Sequence, residues 1–315
     1  MDNAMKLGYL VIETARARAW REFCDQMLGL PGPCDNPDGS VGYRLDGASQ
    51  RLIVAPGRRD DLLAVGLECA SEAAFDRCVE RVARAGAVVE EASAALRASR
   101  RAGRLVRFRD PAGNWIELFT GLEAADGAFE SEAFPAGFEV GDLGIGHAAL
   151  ICRDVAAAER FYVDVLGFGV SERLRTRIGG FDVRGVFLHC NRRHHSVALF
   201  NLPLRRRLHH FMVQARDFNS VGRAFERAQQ LRVPLSLSLG QHADPDGTFS
   251  FYGVTPSGFE FEVGAGSHEI DPATFVELQS NTASTWGHKP TARLKLQTLG
   301  SLIAARAPKA LGGFD

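Results

Sequence analysis

Three residues in the later half of the chain could share one metal ion: His147, His210 and Glu262. Imidazole is the commonest transition-metal ligand and the usual acid or base near neutral pH. All nine histidines lie at or after position 147, so any histidine chemistry belongs to that half. The three positions are separated by 63 and 52 residues, far too long for a zinc finger or a helix-borne HExxH pair. Strand-borne ligands can still converge inside a curved sheet, because every second side chain points inward. Two neutral imidazoles and a carboxylate on one face of a metal leave three positions open. That arrangement suits ferrous iron in oxygen-using enzymes, because substrate and O2 can reach the same ion.

The elements that must position these residues are written in a repeat. Gly8, Phe23 and Gly29 recur at Gly146, Phe161 and Gly167, a constant offset of 138. Each copy opens as a strand, continues as an amphipathic helix and stops at Leu-Gly. Pro111-Ala-Gly113 through Glu117 recurs, 145 positions on, as Pro256-Ser-Gly258 through Glu262. Pro-x-Gly predicts a tight turn, and the strand after it puts Glu260 and Glu262 on one face, Phe259 and Phe261 on the other. Ala73–Ala85 and Asn219–Leu231 read as helices. His147 reads as the start of one strand and His210 as the start of Phe211-Met-Val-Gln. Of the pair His209-His210 only one can face inward, and matching His147-Ala-Ala-Leu to His210-Phe-Met-Val selects His210. The first copy has Tyr9 for His147 and Ala64 for His210 but keeps Glu117. One carboxylate cannot hold the ion, so the first copy reads as metal-free and structural.

The expected class is α+β: two tandem domains, each of paired βαβββ modules forming an open curved sheet or barrel around a central cavity. The divisions expected are 1–135, metal-free; 136–290, catalytic; and 291–315, a tail, with a Gly- and Pro-bearing linker over 122–142. With 315 residues, two domains fit the usual domain size. Hydrophobic residues at 45% and charged residues at 24% exclude a mainly disordered chain. A net charge of -1 argues against a nucleic-acid or anionic-membrane binder, since both need a basic field. No apolar run is long enough to span a bilayer. Six scattered cysteines, with no export signal ahead of them, point to reduced thiols and a cytoplasmic location.

Gly146-His147, Phe187-Leu-His-Cys-Asn-Arg-Arg-His-His195, Leu208-His-His210-Phe-Met, Ser250-Phe-Tyr252, Thr255-Pro-Ser-Gly-Phe-Glu-Phe-Glu262 and Trp286-Gly-His together carry a family resemblance. The chain resembles the two-domain type I extradiol ring-cleavage dioxygenases of the vicinal-oxygen-chelate superfamily, above all those acting on bicyclic catechols, from about Leu7 to Lys289. The resemblance implies Fe(II) bound by His147, His210 and Glu262, with Mn(II) accepted by the same donors, and it favours Glu262 over Glu260. It implies His195 as the acid/base, Tyr252 as hydrogen-bond donor to a substrate hydroxyl, and His242 and Asp246 as supporting groups. Asp244 is the alternative to Asp246, because the loop after His242 is one residue longer than the family's. Ala149, Phe187, Leu202, His194 and His209 are the implied pocket lining. The implied partners are a catechol and O2, and the family's habit implies a homo-oligomer acting in aromatic catabolism. The implied reaction gives a 2-hydroxy-6-oxo-dienoate.

Plainer readings compete. His189, His268 and His288 read as structural. Arg205-Arg-Arg207 reads as a solvated charge run. Gly144-Ile-Gly146 imitates a dinucleotide fingerprint without its βαβ context. One rival function is a glyoxalase-like metal isomerase or lyase, which usually draws ligands from two copies of the module; a colourimetric catechol assay under air separates it. The other rival is a non-catalytic binder of aromatic ligands, which needs no metal triad.

Overall fold

The computed structural model describes residues 5–178 and 181–291. The expected tail lies outside the described residues from position 292 onward.

Four modules follow one another. The first is β1 (Met5–Thr14), α1 (Ala17–Glu22), β2 (Cys34–Asp35), β3 (Val41–Tyr43) and β4 (Leu52–Pro56). The second is β5 (Asp61–Cys69), α2 (Glu72–Arg84), β6 (Glu90–Glu91), α3 (Ala94–Arg100), β7 (Arg104–Arg109) and β8 (Trp115–Thr120). The third is β9 (Ala148–Ile151), α4 (Val155–Arg160), β10 (Gly169–Ile178), β11 (Phe181–His189) and β12 (Val197–Phe200). The fourth is β13 (Leu208–Gln214), α5 (Phe218–Gln230), β14 (Leu235–His242), β15 (Phe249–Val254) and β16 (Glu260–Ala265), followed by β17 (Leu278–Ser280) and β18 (Ser284–Trp286). The first two modules share an 8-stranded sheet and the last two, with β17 and β18, a 10-stranded sheet. Neither sheet closes, so each is an open, curled surface of the expected α+β kind.

The helices form where apolar spacing and caps agree. Ala74, Phe75, Cys78 and Val82 bury one face of α2, and Ser71 Oγ accepts from Ala74 N at its start. Val221, Ala224 and Ala228 do the same for α5, capped by Asp217. Both helices begin one residue earlier than the pattern suggests, directly after the cap. The helices after β1 and β9 each end in a π turn, Phe23–Met27 and Phe161–Val165. Gly29 and Gly167 follow with positive φ, +58° and +82°, where the chain turns back.

Of the Arg205-Arg-Arg207 run, Arg205 is exposed as expected, whereas Arg206 and Arg207 are half-buried and engaged. Arg206 donates to the Gly258 carbonyl, and Arg207 Nη1 donates to the Gly113 carbonyl at 2.7 Å. These are the two Pro-x-Gly turns, one in each domain. Carbonyls at turns have no ladder partner, so a nearby guanidinium satisfies them. The linker segment also packs rather than floats, burying Phe134 and Phe138 with ring centroids 4.5 Å apart.

Candidate metal centre

Register brings the three predicted ligands together. β13 runs parallel to β16 with Met212 opposite Glu262, and antiparallel to β9 with His210 opposite Ala149. His147 immediately precedes β9, and its carbonyl accepts from Met212 N at 2.9 Å. His210 is the third residue of its strand, not the first as expected. The Nε2 atoms of His147 and His210 lie 2.9 Å apart. They are 3.2 and 3.5 Å from Glu262 Oε2. Three donors on one octahedral face, with bonds of about 2.1 Å, would stand about 3 Å apart. All three residues are buried, and neither Glu262 oxygen makes a well-aligned hydrogen bond among the described residues, its polar neighbours being imidazole nitrogens at 3.2 Å and beyond. A buried carboxylate without a well-aligned donor is costly unless a cation meets it. The donor set therefore fits a divalent transition metal.

Electrostatics agree with that fit. Burial first, then the neighbouring His209 and His147, pushes the His210 pKa well below the usual imidazole range, leaving a neutral donor. Burial alone would raise the Glu262 pKa, but His147 and His242 outweigh it and hold the carboxyl well below its usual range.

The remaining predicted residues surround this centre. His195 is buried, with its ring 4.0 Å from that of His147 and 4.9 Å from Phe187. Burial, then His147 and His194, pushes its pKa well down, so it is a neutral base. His194 is fully buried, with Nδ1 3.0 Å from His195 Nδ1. Tyr252 Oη lies 2.8 Å from His242 Nε2, and His242 Nδ1 donates to the Ala283 carbonyl at 2.8 Å. His242 Nε2 is also 3.4 Å from Glu262 Oε1. Burial opposes a charged His242, yet Glu262 and Asp246 carry its pKa up to about 9.

Of the two candidate loop aspartates, Asp246 is buried and accepts from Thr248 Oγ1 and Ser267 Oγ, at 2.6 and 3.0 Å. A ring nitrogen of His194, one of His195 and an Asp246 oxygen lie within 4.8 Å of one another. Asp244 is 86% exposed beside His268, away from the centre. Ala149 is fully buried opposite His210, Phe187 stacks edge-on to His195, and Leu202 is half-buried after β12. His209 is half-buried, its Nδ1 2.7 Å from His210 Nδ1. Simple alternation would separate the pair; a register shift between Leu208 and His210 brings their rings together. Glu260 is buried and, chiefly through burial, has a raised pKa.

His288, read as structural, packs against the residues beside the centre. Its ring is 4.6 Å from His242 and 5.5 Å from Tyr252, and its Nδ1 meets Ser284 Oγ at 2.7 Å. The Trp286-Gly-His string was the available signal, but β18 had no periodicity to mark it as a strand.

The first domain is a natural control. Gly66 stands opposite Glu117, and Val11 opposite Ala64, repeating the second domain's register. There, Glu117 Oε2 accepts from Tyr9 Oη and from Arg100 Nε, each at 2.8 Å. A guanidinium and a phenol fill the place that the second domain leaves to its histidines.

Residues 144–263 match the Glyoxalase/Bleomycin resistance protein/Dioxygenase superfamily, and residues 7–57 match Dihydroxybiphenyl dioxygenase BphC D1. The chain is 38% identical to a 3-methylcatechol 2,3-dioxygenase of Pseudomonas putida, covering 91% of this chain and 98% of the relative. It is 36% identical to a biphenyl-2,3-diol 1,2-dioxygenase of Paraburkholderia xenovorans, covering 90% and 94%. An iron-dependent extradiol dioxygenase of Rhodococcus jostii is 33% identical over 90% of this chain and 96% of its own length. The crystal structure of a halotolerant catechol dioxygenase superposes with a TM-score of 0.83 at 33% identity, over 90% of this chain and 94% of that one. With both halves matched and relatives aligned almost end to end, the chain belongs to the extradiol dioxygenases of this superfamily.

Proposed function

We propose that this chain opens catechol rings beside the diol with O2, at one Fe(II) held by His147, His210 and Glu262. The observation that carries the reading is the convergence of the His147 and His210 Nε2 atoms and a buried Glu262 oxygen, 2.9–3.5 Å from one another. Iron held there would supply open positions for the diol's two oxygens and an electron path between the diol and O2. Mn(II) is accepted by the same donors.

The chain's own groups do the rest. His195, buried and neutral, takes a proton from a substrate hydroxyl and returns it as the ring opens. Tyr252 donates its hydroxyl hydrogen to a substrate oxygen, and His242, anchored on Ala283, orients that hydroxyl. Asp246, with His194, supports His195 from behind. Ala149, Phe187, Leu202 and His209 line the side where an apolar second ring would lie, so the substrate class is a bicyclic catechol such as a dihydroxybiphenyl or dihydroxynaphthalene. The expected product is a 2-hydroxy-6-oxo-dienoate.

Residues 1–135 form the metal-free domain in this reading and 136–290 the catalytic one. The chain works as a homo-oligomer in the cytoplasm; all six cysteines are free, and no described helix is long and apolar enough to cross a membrane. The test is anaerobic loading with Fe(II), then a spectral screen of mono-, bi- and tricyclic catechols under O2. A yellow product with matching oxygen uptake is expected. Iron-loaded protein that consumes no oxygen with any of them would sink the proposal.

A further inference from the structure

We infer that Asp61, a residue of the first domain, fixes which of two adjacent histidines of the second domain faces the metal centre. The inference rests on the ligand assignment proposed above.

β13 carries His209 and His210 side by side. Side chains alternate along a strand, so a slip of one residue would turn His209 inward and His210 outward. Elsewhere in a sheet such a slip is penalised because a polar residue replaces an apolar one. Phe211 and Val213, buried in the core, hold the rest of the strand, but at the bulge itself both candidates are imidazoles, so side-chain type scarcely opposes a local shift of the bulge by one residue.

Backbone bonds from Ile151 N to the Arg207 carbonyl, at 2.8 Å, and from Met212 N to the His147 carbonyl, at 2.9 Å, flank this point, but the ladder is broken between them. Against β9, Leu208 pairs with Leu150 and His210 with Ala149, so β13 has an extra residue, His209, at a bulge. Bulges interrupt the ladder. On the other side, pairing with β16 starts only at His210. The amides of Arg207 and Leu208 donate instead to Asp61, to Oδ2 at 2.7 Å and to Oδ1 at 3.2 Å. One carboxylate gripping two successive amides fixes the strand along its own direction, because a slip carries one amide out of reach.

Asp61 is itself held. It opens β5 and pairs with Glu13 in β1, and its Oδ1 also accepts from Leu62 N at 2.8 Å. The Arg207 side chain reaches the same domain, donating to the Gly113 carbonyl and to Asn114 Oδ1. β5 is the counterpart of β13, with Ala64 in the place of His210. The strand that lost its ligand thus anchors the strand that kept one. Asp61 is a positioning residue.

The test measures Fe(II) affinity anaerobically by chelator competition, beside thermal melting, for full-length variants. Asp61→Ala is expected to bind Fe(II) about tenfold or more weakly. Asp61→Asn, which keeps one acceptor oxygen, falls between it and the parent. Trp20→Phe breaks a different inter-domain hydrogen bond, Trp20 Nε1 to Ser257 Oγ at 2.8 Å. It should lower the melting temperature and leave iron affinity unchanged. His209→Ala removes the ring partner of His210 Nδ1 and weakens iron in the parent too, but its cost should be clearly larger when Asp61 is already Ala, as expected if His209 substitutes in shifted molecules. Parental iron affinity in both Asp61 variants overturns the inference, as does a cost of His209→Ala no larger in Asp61→Ala than in the parent. If His210→Ala itself binds iron normally, the ligand assignment has failed instead.

Discussion

The imidazole of His195 lies over that of His147, ring centroids 4.0 Å apart and planes 33° from parallel. It therefore borders the ligand set without belonging to it. His195→Ala should keep its iron and lose turnover by about 10²–10⁴-fold, the usual contribution of a placed general acid/base. Iron stoichiometry and oxygen uptake, measured on one sample, decide this. Wild-type turnover would remove His195 from the mechanism; lost iron would make it a ligand.

Tyr252 and His242 act as a pair. Tyr252→Phe keeps the packing of the ring against His210, 5.2 Å away, and deletes the hydroxyl. A drop of about tenfold in kcat/KM is expected from one lost hydrogen bond in a buried site. Burial, then Glu262, pushes the Tyr252 pKa well up, so the phenol stays protonated and able to donate at every pH at which the protein is assayed. An unchanged kcat/KM would show that the hydroxyl does not meet substrate.

Much of this site was legible in the residues. His147, His210 and Glu262 fell out of the repeat, since the same strands in the first copy carry Tyr9, Ala64 and Glu117. Strand alternation allowed only one of His209 and His210 inward, and matching His147-Ala-Ala-Leu to His210-Phe-Met-Val selected His210. What stayed hidden depends on three-dimensional irregularity. The bulge at His209 leaves no mark on a two-residue period, and the π turns after α1 and α4 leave none on a 3.6-residue one. His288 comes beside His242 and Tyr252 just after a three-residue edge strand, too short for any pattern. Arg206 and Arg207 looked solvated because sequence shows their charge and not the carbonyls they cover.

Arg100 and Glu117 are 3% and 1% exposed, so this ion pair is sealed from water. Arg100→Leu should destabilise the protein by about 3–5 kcal/mol, because Glu117 remains buried without its cation. Adding Glu117→Leu should recover most of that loss. Thermal or urea unfolding of the two variants checks it; a double variant no more stable than Arg100→Leu alone would show that the cost is cavity, not charge.

Acid stability has one identifiable contributor in Asp46. Burial works to raise its pKa, but hydrogen bonds and charge from Arg51, at 2.8 Å, bring it below the usual range. A depressed carboxyl favours the folded state fully above the unfolded value of about 3.9, and loses that contribution as pH falls through the lower folded value. Asp46→Asn should flatten the acid limb of stability between these two points and leave its shape above pH 5 unaltered. Urea midpoints measured from pH 2 to 7 would reveal it, and parallel curves for parent and variant would refute it.

The guanidinium tethered at Glu117 has a consequence for metal economy. Unlike a bound ion, it cannot dissociate, be exchanged or be stripped by a chelator. On the proposed assignment the first domain's carboxylate takes up no iron. Iron supplied to the protein thus meets no open carboxylate at Glu117, whose charge is already matched by a group of the same polypeptide.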